Sequence, residues 1–164
     1  MNTLSKAIEQ LEEFMNSTER IVLIKGTQHF KKHILALHMV GNVTENCNIL
    51  FRSNTIQNAG DFLKTKTPAK SGKAYSFNDH HSVYIDTNSS FTWKKSPQEV
   101  DYSILYPFDS VCKEQNKEAV IEDIIKRTKK KIFIVSCKDT YDYEWLHNYA
   151  YRQVIYDQKQ VKSL

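Results

Sequence analysis

The densest group of residues able to do chemistry is Gly26-Thr27-Gln28-His29-Phe30-Lys31-Lys32-His33, directly after the apolar run Ile21 to Ile24. A glycine that lets the backbone turn closely, followed by two cations, suits anion chemistry, with amides and ammonium groups converging on a phosphate. If Thr27 to Lys32 are already helical, the same residues form a plain helix N-terminus beside Lys31 and Lys32, able to hold an anion without wrapping a triphosphate. Oxygen donors for a hard cation stand at the ends of two other apolar runs. Asp86 closes Val83-Tyr84-Ile85, and Asp109 follows Tyr102 to Tyr106 after Pro107 and Phe108. Ser136 and Cys137 end the run Ile132 to Val135.

Other groupings are less ordered. Asp79, His80, His81 and Asp86 lie close together, but adjacent strand residues point to opposite faces and turn tips are commonly polar, so no metal site is expected. Cys137 stands where a nucleophile could sit, yet nothing local pairs it with a histidine, and a small buried thiol is the ordinary reading; no catalytic residue is assigned. His29, His33 and His38 share a segment without the glutamate of a zinc-protease helix and read as surface or helix-end residues. Asp86 with Thr92-Trp93-Lys94 is only a fragment of a nuclease pattern. Lys70 and Lys73, in the Lys- and Thr-rich loop that also carries Lys64 and Lys66, together with Trp93, Lys94 and Lys95, form a candidate nucleic-acid surface through charge and stacking.

The elements that must position these groups follow from periodicity. Leu4, Ile8, Leu11, Phe14 and Met15 predict an amphipathic helix over residues 3–16. Ile21 to Ile24 predict a strand buried on both faces, followed by a helix from about Thr27 to Val40 with Phe30, Ile34, Leu37 and Val40 or Met39 inward. Further strands are expected at 48–52, 102–106, 132–135 and 153–156. Helices are expected at Ile56 to Leu63, between Asn116 and Thr128, and through Trp145 and Leu146. Tyr75 to Phe77 and Val83 to Ile85 flank Asn78 to His81 as a β-hairpin. This alternation predicts an α/β fold: a mostly parallel sheet of about five strands with helices on both faces, a β-hairpin insertion, and ligands at the carboxyl ends of the strands.

In that setting Gly26 to His33 resembles the Walker A pattern GxxxxGK[ST] of P-loop nucleotide triphosphatases, with Gly26 at the first glycine and Lys32 at the phosphate-binding lysine. Lys31 replaces the second glycine and His33 the magnesium-binding hydroxyl. Asp101 to Ser110 resembles the Walker B strand, with Tyr106 and Pro107 where its acidic pair would stand, and Lys131 to Cys137 resembles the next strand, with Ser136 at the sensor position. Asp86 is the alternative Walker B acid. The resemblance covers residues 20–157 as an arrangement. It implies a phosphate site of Gly26, Thr27, Lys31, Lys32 and His33 for ATP or GTP, and Asp86, Asp109 or Ser136 as magnesium or sensor groups.

Whole-chain properties bound the rest. The chain has 164 residues, a formal charge of +4 and 40% hydrophobic residues, as expected of a single domain over residues 1–164 that folds without disulfides. Cys47, Cys112 and Cys137 are odd in number and widely spaced, which suits a reducing compartment; with no run of about 18 apolar residues, the expectation is a cytoplasmic protein without a membrane span. The missing hydroxyl and acidic pair point to a non-hydrolysing, P-loop-like adaptor or regulator acting on a protein partner. An active magnesium-dependent nucleotide enzyme and a nucleic-acid-binding module are the alternatives.

Overall fold

The structure, a computed structural model, describes residues 3–158. Seven strands form one sheet in the order β3-β4-β2-β5-β6-β1-β7. They are β1 (Ile21–Lys25), β2 (Cys47–Ser53), β3 (Ala74–Phe77), β4 (His81–Thr87), β5 (Val100–Leu105), β6 (Thr128–Val135) and β7 (Arg152–Ile155). All neighbours run parallel except β3, which pairs antiparallel with β4 across the turn in which Asn78 and Asp79 take positive φ. The expected hairpin is therefore present, and its second strand joins the parallel sheet beside β2.

Alternation along the central strands sorts the core into two layers. Val22, Ile24, Ile104, Phe133 and Val135 face one side, where they meet α1 (Leu4–Met15), α2 (Lys32–Gly41) and α3 (Ile56–Leu63). Ile21, Leu23, Leu105, Ile132 and Ile134 face the other, under α5 (Phe108–Cys112), α6 (Lys117–Arg127) and the 3-10 turn Glu144–Asn148. A single turn, α4 (Ser90–Trp93), follows β4. Strands buried on both faces explain why their sequences are continuous apolar runs rather than alternating ones.

Two expectations are corrected in α2. The helix begins at Lys32, so Gly26 to Lys31 form a loop and not a helix N-terminus starting at Thr27. Its inward residues are Leu35, Ala36, Met39 and Val40, with Lys32 and His33 also buried, while Phe30 and Ile34 are 66% and 54% exposed. The face is turned because buried partners exist for Lys32 and His33, as described below. His33, expected at the surface or at a helix end, stands in the first turn of α2 and is buried.

Candidate functional site: the loop between β1 and α2

Parallel strands place the β1–α2 loop, the end of β5 and the end of β6 at the same, carboxyl, edge of the sheet. Gly26 opens the loop at φ 125°, and a Cβ there would lie 2.3 Å from the Tyr156 carbonyl oxygen. The loop is thus pressed against the segment that leaves β7.

The amides of its first three residues are already engaged. Gly26 N–H donates to Asp139 Oδ2 at 2.7 Å, Thr27 N–H to Asp157 Oδ1 at 3.0 Å, and Gln28 N–H to the Tyr156 carbonyl at 3.1 Å. Gln158 N–H in turn donates to Thr27 Oγ1 at 2.8 Å. Lys32 is fully buried, and its Nζ donates to the Gly26 carbonyl at 2.6 Å and the Cys137 carbonyl at 3.0 Å. Burial lowers the Lys32 pKa, and the carboxylates Asp139, Asp109 and Asp157 act in the opposite sense. Lys31 is exposed at the head of α2. The loop therefore gathers negative charge, but that charge comes from the chain's own side chains.

His33 and Tyr106, the residues that the resemblance sets at the hydroxyl and acidic positions of a magnesium site, form an aromatic pair. The His33 ring stacks on Tyr106 with centroids 4.3 Å apart and planes inclined by 18°, and Phe62 closes on both. Desolvation pushes the His33 pKa down to about 4 and the Tyr106 phenol up. Neutral imidazole and phenol are not the hard oxygen donors that magnesium takes, so this pair does not fit that ion. The nearby Asp109 spends both oxygens on Cys137 N–H, Lys138 N–H and Tyr143 Oη, at 3.1, 2.9 and 2.8 Å. Ser136 Oγ donates to Asp139.

The other sequence candidates lie apart. Asp86 is fully buried at the end of β4, where Arg52 Nε and Nη2 donate to it at 2.7 and 2.8 Å and Ser96 Oγ at 2.9 Å. Arg52 also reaches Asp123 at 2.7 Å, and its guanidinium lies 4.5 Å from the Trp93 ring centre. Trp93 donates its indole N–H to the Thr87 carbonyl, so the ring is packed rather than presented. His81 turns to Cys47, with Nδ1 and Sγ 3.2 Å apart, and among the described residues no group of three His, Cys, Asp or Glu is arranged to hold a metal. Nor is any described helix long and apolar enough to cross a membrane.

The chain's overall arrangement is similar to that in the structure of the large terminase from a thermophilic bacteriophage, with a TM-score of 0.59 at 11% identity. The likeness takes in 92% of this chain and 44% of the terminase chain, so this chain spans less than half the length of that protein. What the two share is an α/β arrangement around a mostly parallel sheet. No protein-family profile and no curated protein sequence matches it. The fold alone is what the likeness shows, and the side chains must speak for the site.

Tyr106, Asp139 and Asp157 are the loop's unforeseen neighbours, and Arg52 is the unforeseen partner of Asp86, away from the loop. Arg52 was legible as a charge closing an apolar strand whose parallel neighbour ends in Asp86. Tyr106 carried no signal beyond standing in an acid's place.

The His33 stack has a measurable consequence. An unfolded histidine titrates near 6.5 and the folded one near 4, so between those values the unfolded chain binds more protons. The stability contributed by neutral His33 is present above about pH 6.5 and lost as the pH falls towards about 4, amounting to about 3 kcal/mol. Urea unfolding of the native chain and of His33→Phe should converge by this amount as the pH is lowered through that window. Parallel pH profiles would show that His33 is not held neutral by folding.

Proposed function

We propose that this chain is a single P-loop-like domain that does not hydrolyse nucleotide and serves as an adaptor or regulator for a protein partner. The observation that supports this most is the internal use of the loop. The amides of Gly26, Thr27 and Gln28 and the ammonium of Lys32 are satisfied by Asp139, Asp157 and backbone carbonyls. A triphosphate would have to displace two carboxylates of its own charge sign and free a buried lysine from two acceptors. The His33–Tyr106 stack supplies no magnesium partner for it. In this reading Gly26, Thr27, Lys32 and His33 keep the place of a phosphate site as an internal scaffold, and Lys31 stays exposed at its mouth. Phe30 and Ile34, exposed beside the loop, offer a partner apolar contact.

A ligand that binds only the folded state at about a hundred times its Kd adds about 2.7 kcal/mol of stability. Thermal unfolding with ATP, GTP or inorganic phosphate, each with and without magnesium, is expected to leave Tm unchanged for both the native chain and Lys32→Ala, each against its own baseline. Phosphate release from ATP and GTP should stay at the background rate. A magnesium-dependent rise in Tm present in the native chain and absent from Lys32→Ala would establish a working nucleotide site and overturn the reading.

A further inference from the structure

The opposite edge of the sheet has a different character. Between Phe62 and Gln98 the sequence holds six lysines against two aspartates, with no arginine or glutamate, so this segment carries the chain's whole formal excess of +4. Of the two aspartates, Asp86 is buried against Arg52. All six lysines, at 64, 66, 70, 73, 94 and 95, are exposed, and among the described residues none of them is in an ion pair. By contrast, Lys129, Lys130, Arg127 and Arg152 are all paired with carboxylates.

Folding draws these lysines together. Gly72 packs so closely on Lys95 that a Cβ on the glycine would sit 3.2 Å from the lysine Cβ, which joins the 64–73 loop to the turn after α4. Lys70 N–H donates to Tyr75 Oη at 2.8 Å, and Lys73 Nζ stands 5.2 Å over the Tyr75 ring, so the loop is fastened to β3. Under it lies a cavity of about 380 Å³ floored by Leu63, Tyr75, Phe77 and Val83 and walled by Lys64, Lys66 and Lys73. No acidic residue lines it. Lys64 holds the rim in a left-handed conformation at φ 54°, a geometry uncommon for a lysine.

An apolar slot whose charged lining residues are all lysines, set among the neutral Thr65, Thr67 and Ser76, fits a ligand that alternates flat apolar bodies with negative charges. We propose that this edge binds single-stranded nucleic acid, with phosphates on Lys64, Lys66, Lys70, Lys73, Lys94 and Lys95 and an unstacked base in the slot over Tyr75 and Phe77. Trp93 takes no part, since its ring lies under Arg52. The site is five strand spacings from β1, on the order of 24 Å, so it does not depend on how the loop after β1 is used.

The test is fluorescence anisotropy of a labelled oligothymidylate of about twenty nucleotides, titrated with the native chain at about 50 and about 200 mM salt. Binding is expected, weakening by tenfold or more across that salt range, as several neutralised phosphates require. The triple variant Lys64→Glu, Lys66→Glu, Lys73→Glu should lose at least about tenfold in affinity, while Lys6→Glu, Lys113→Glu, Lys126→Glu, which removes equal charge from exposed positions elsewhere, should stay within about twofold. Since every substituted lysine is exposed, folding is not at stake. Absence of binding at the lower salt, equal loss in both variants, or equal affinity for a duplex would each overturn the proposal. So would binding to acidic phospholipid vesicles or poly-glutamate with none to the oligonucleotide.

Discussion

Asp86→Ala should unfold with a stability lower by about 3–5 kcal/mol, measured by urea titration at neutral pH. The reason is what stays behind. Arg52 is wholly buried, and its guanidinium would keep only Asp123, the Val120 carbonyl and the face of Trp93. Breaking one side of a buried pair strands a charge in a medium that cannot solvate it, and Ser96 Oγ would lose its acceptor as well. The double variant Arg52→Met, Asp86→Leu should be less damaged than the single one, because it removes both charges and fills the space with apolar groups. A carboxylate kept for a cation behaves differently, and its loss leaves stability level or higher. A single variant as stable as the native chain would therefore return Asp86 to the candidates for ion binding.

Gly26→Ala is expected to destabilise the fold by at least about 3 kcal/mol, since a side chain at such a φ is strained by about 1–3 kcal/mol before any collision. The collision here is with backbone: Tyr156 O, C and N would lie 2.3, 2.7 and 2.8 Å from the new carbon. No rotamer change can relieve it, so the segment after β7 must move away and release the amides it satisfies. Hydrogen exchange should report this directly. The Gln28 and Tyr156 amides, bonded to the Tyr156 and Lys25 carbonyls, should exchange much faster than in the native chain while the β5 and β6 amides keep their relative protection. Unchanged stability and exchange would mean that the loop is not held by this contact.

The sheet was readable because its central strands contain apolar runs bounded by polar breaks, and β1, β2, β5 and β6 each contain such a run, while β7 keeps only Val154 and Ile155 of one. Boundaries were less so. β6 starts at Thr128, and Lys129 and Lys130 are exposed at its entry, where the register against β5 shifts, a run of charge that by composition only closes the preceding helix. The short α5 after Pro107 went unseen because five residues are too few to show a period.

At the loop, the chain order of glycine, lysine and helix could be read from neighbouring residues, but the partners could not. Asp139 and Asp157 lie 113 and 130 residues from the amides they cap. The inward face of α2 was misjudged for a related reason. Local hydrophobicity favours Phe30 and Ile34, whereas burying Lys32 and His33 draws on the Cys137 carbonyl and the Tyr106 ring, supplied from the ends of distant strands, besides the Gly26 carbonyl and Phe62.

That same long-range closure sets an order of events. The loop after β1 leaves a ribosome well ahead of its partners, and its amides are satisfied only when Asp139, Tyr156 and Asp157 have been made. β1 has both edges open until β6 is made and one until β7 is, and the nascent chain carries an unclosed turn whose lysine lacks the Cys137 acceptor. Contacts of such sequence separation form late and slowly. Completion of β7 is thus the step that locks the centre of the molecule, and chains released before residue 152 should be the ones that a quality-control protease removes.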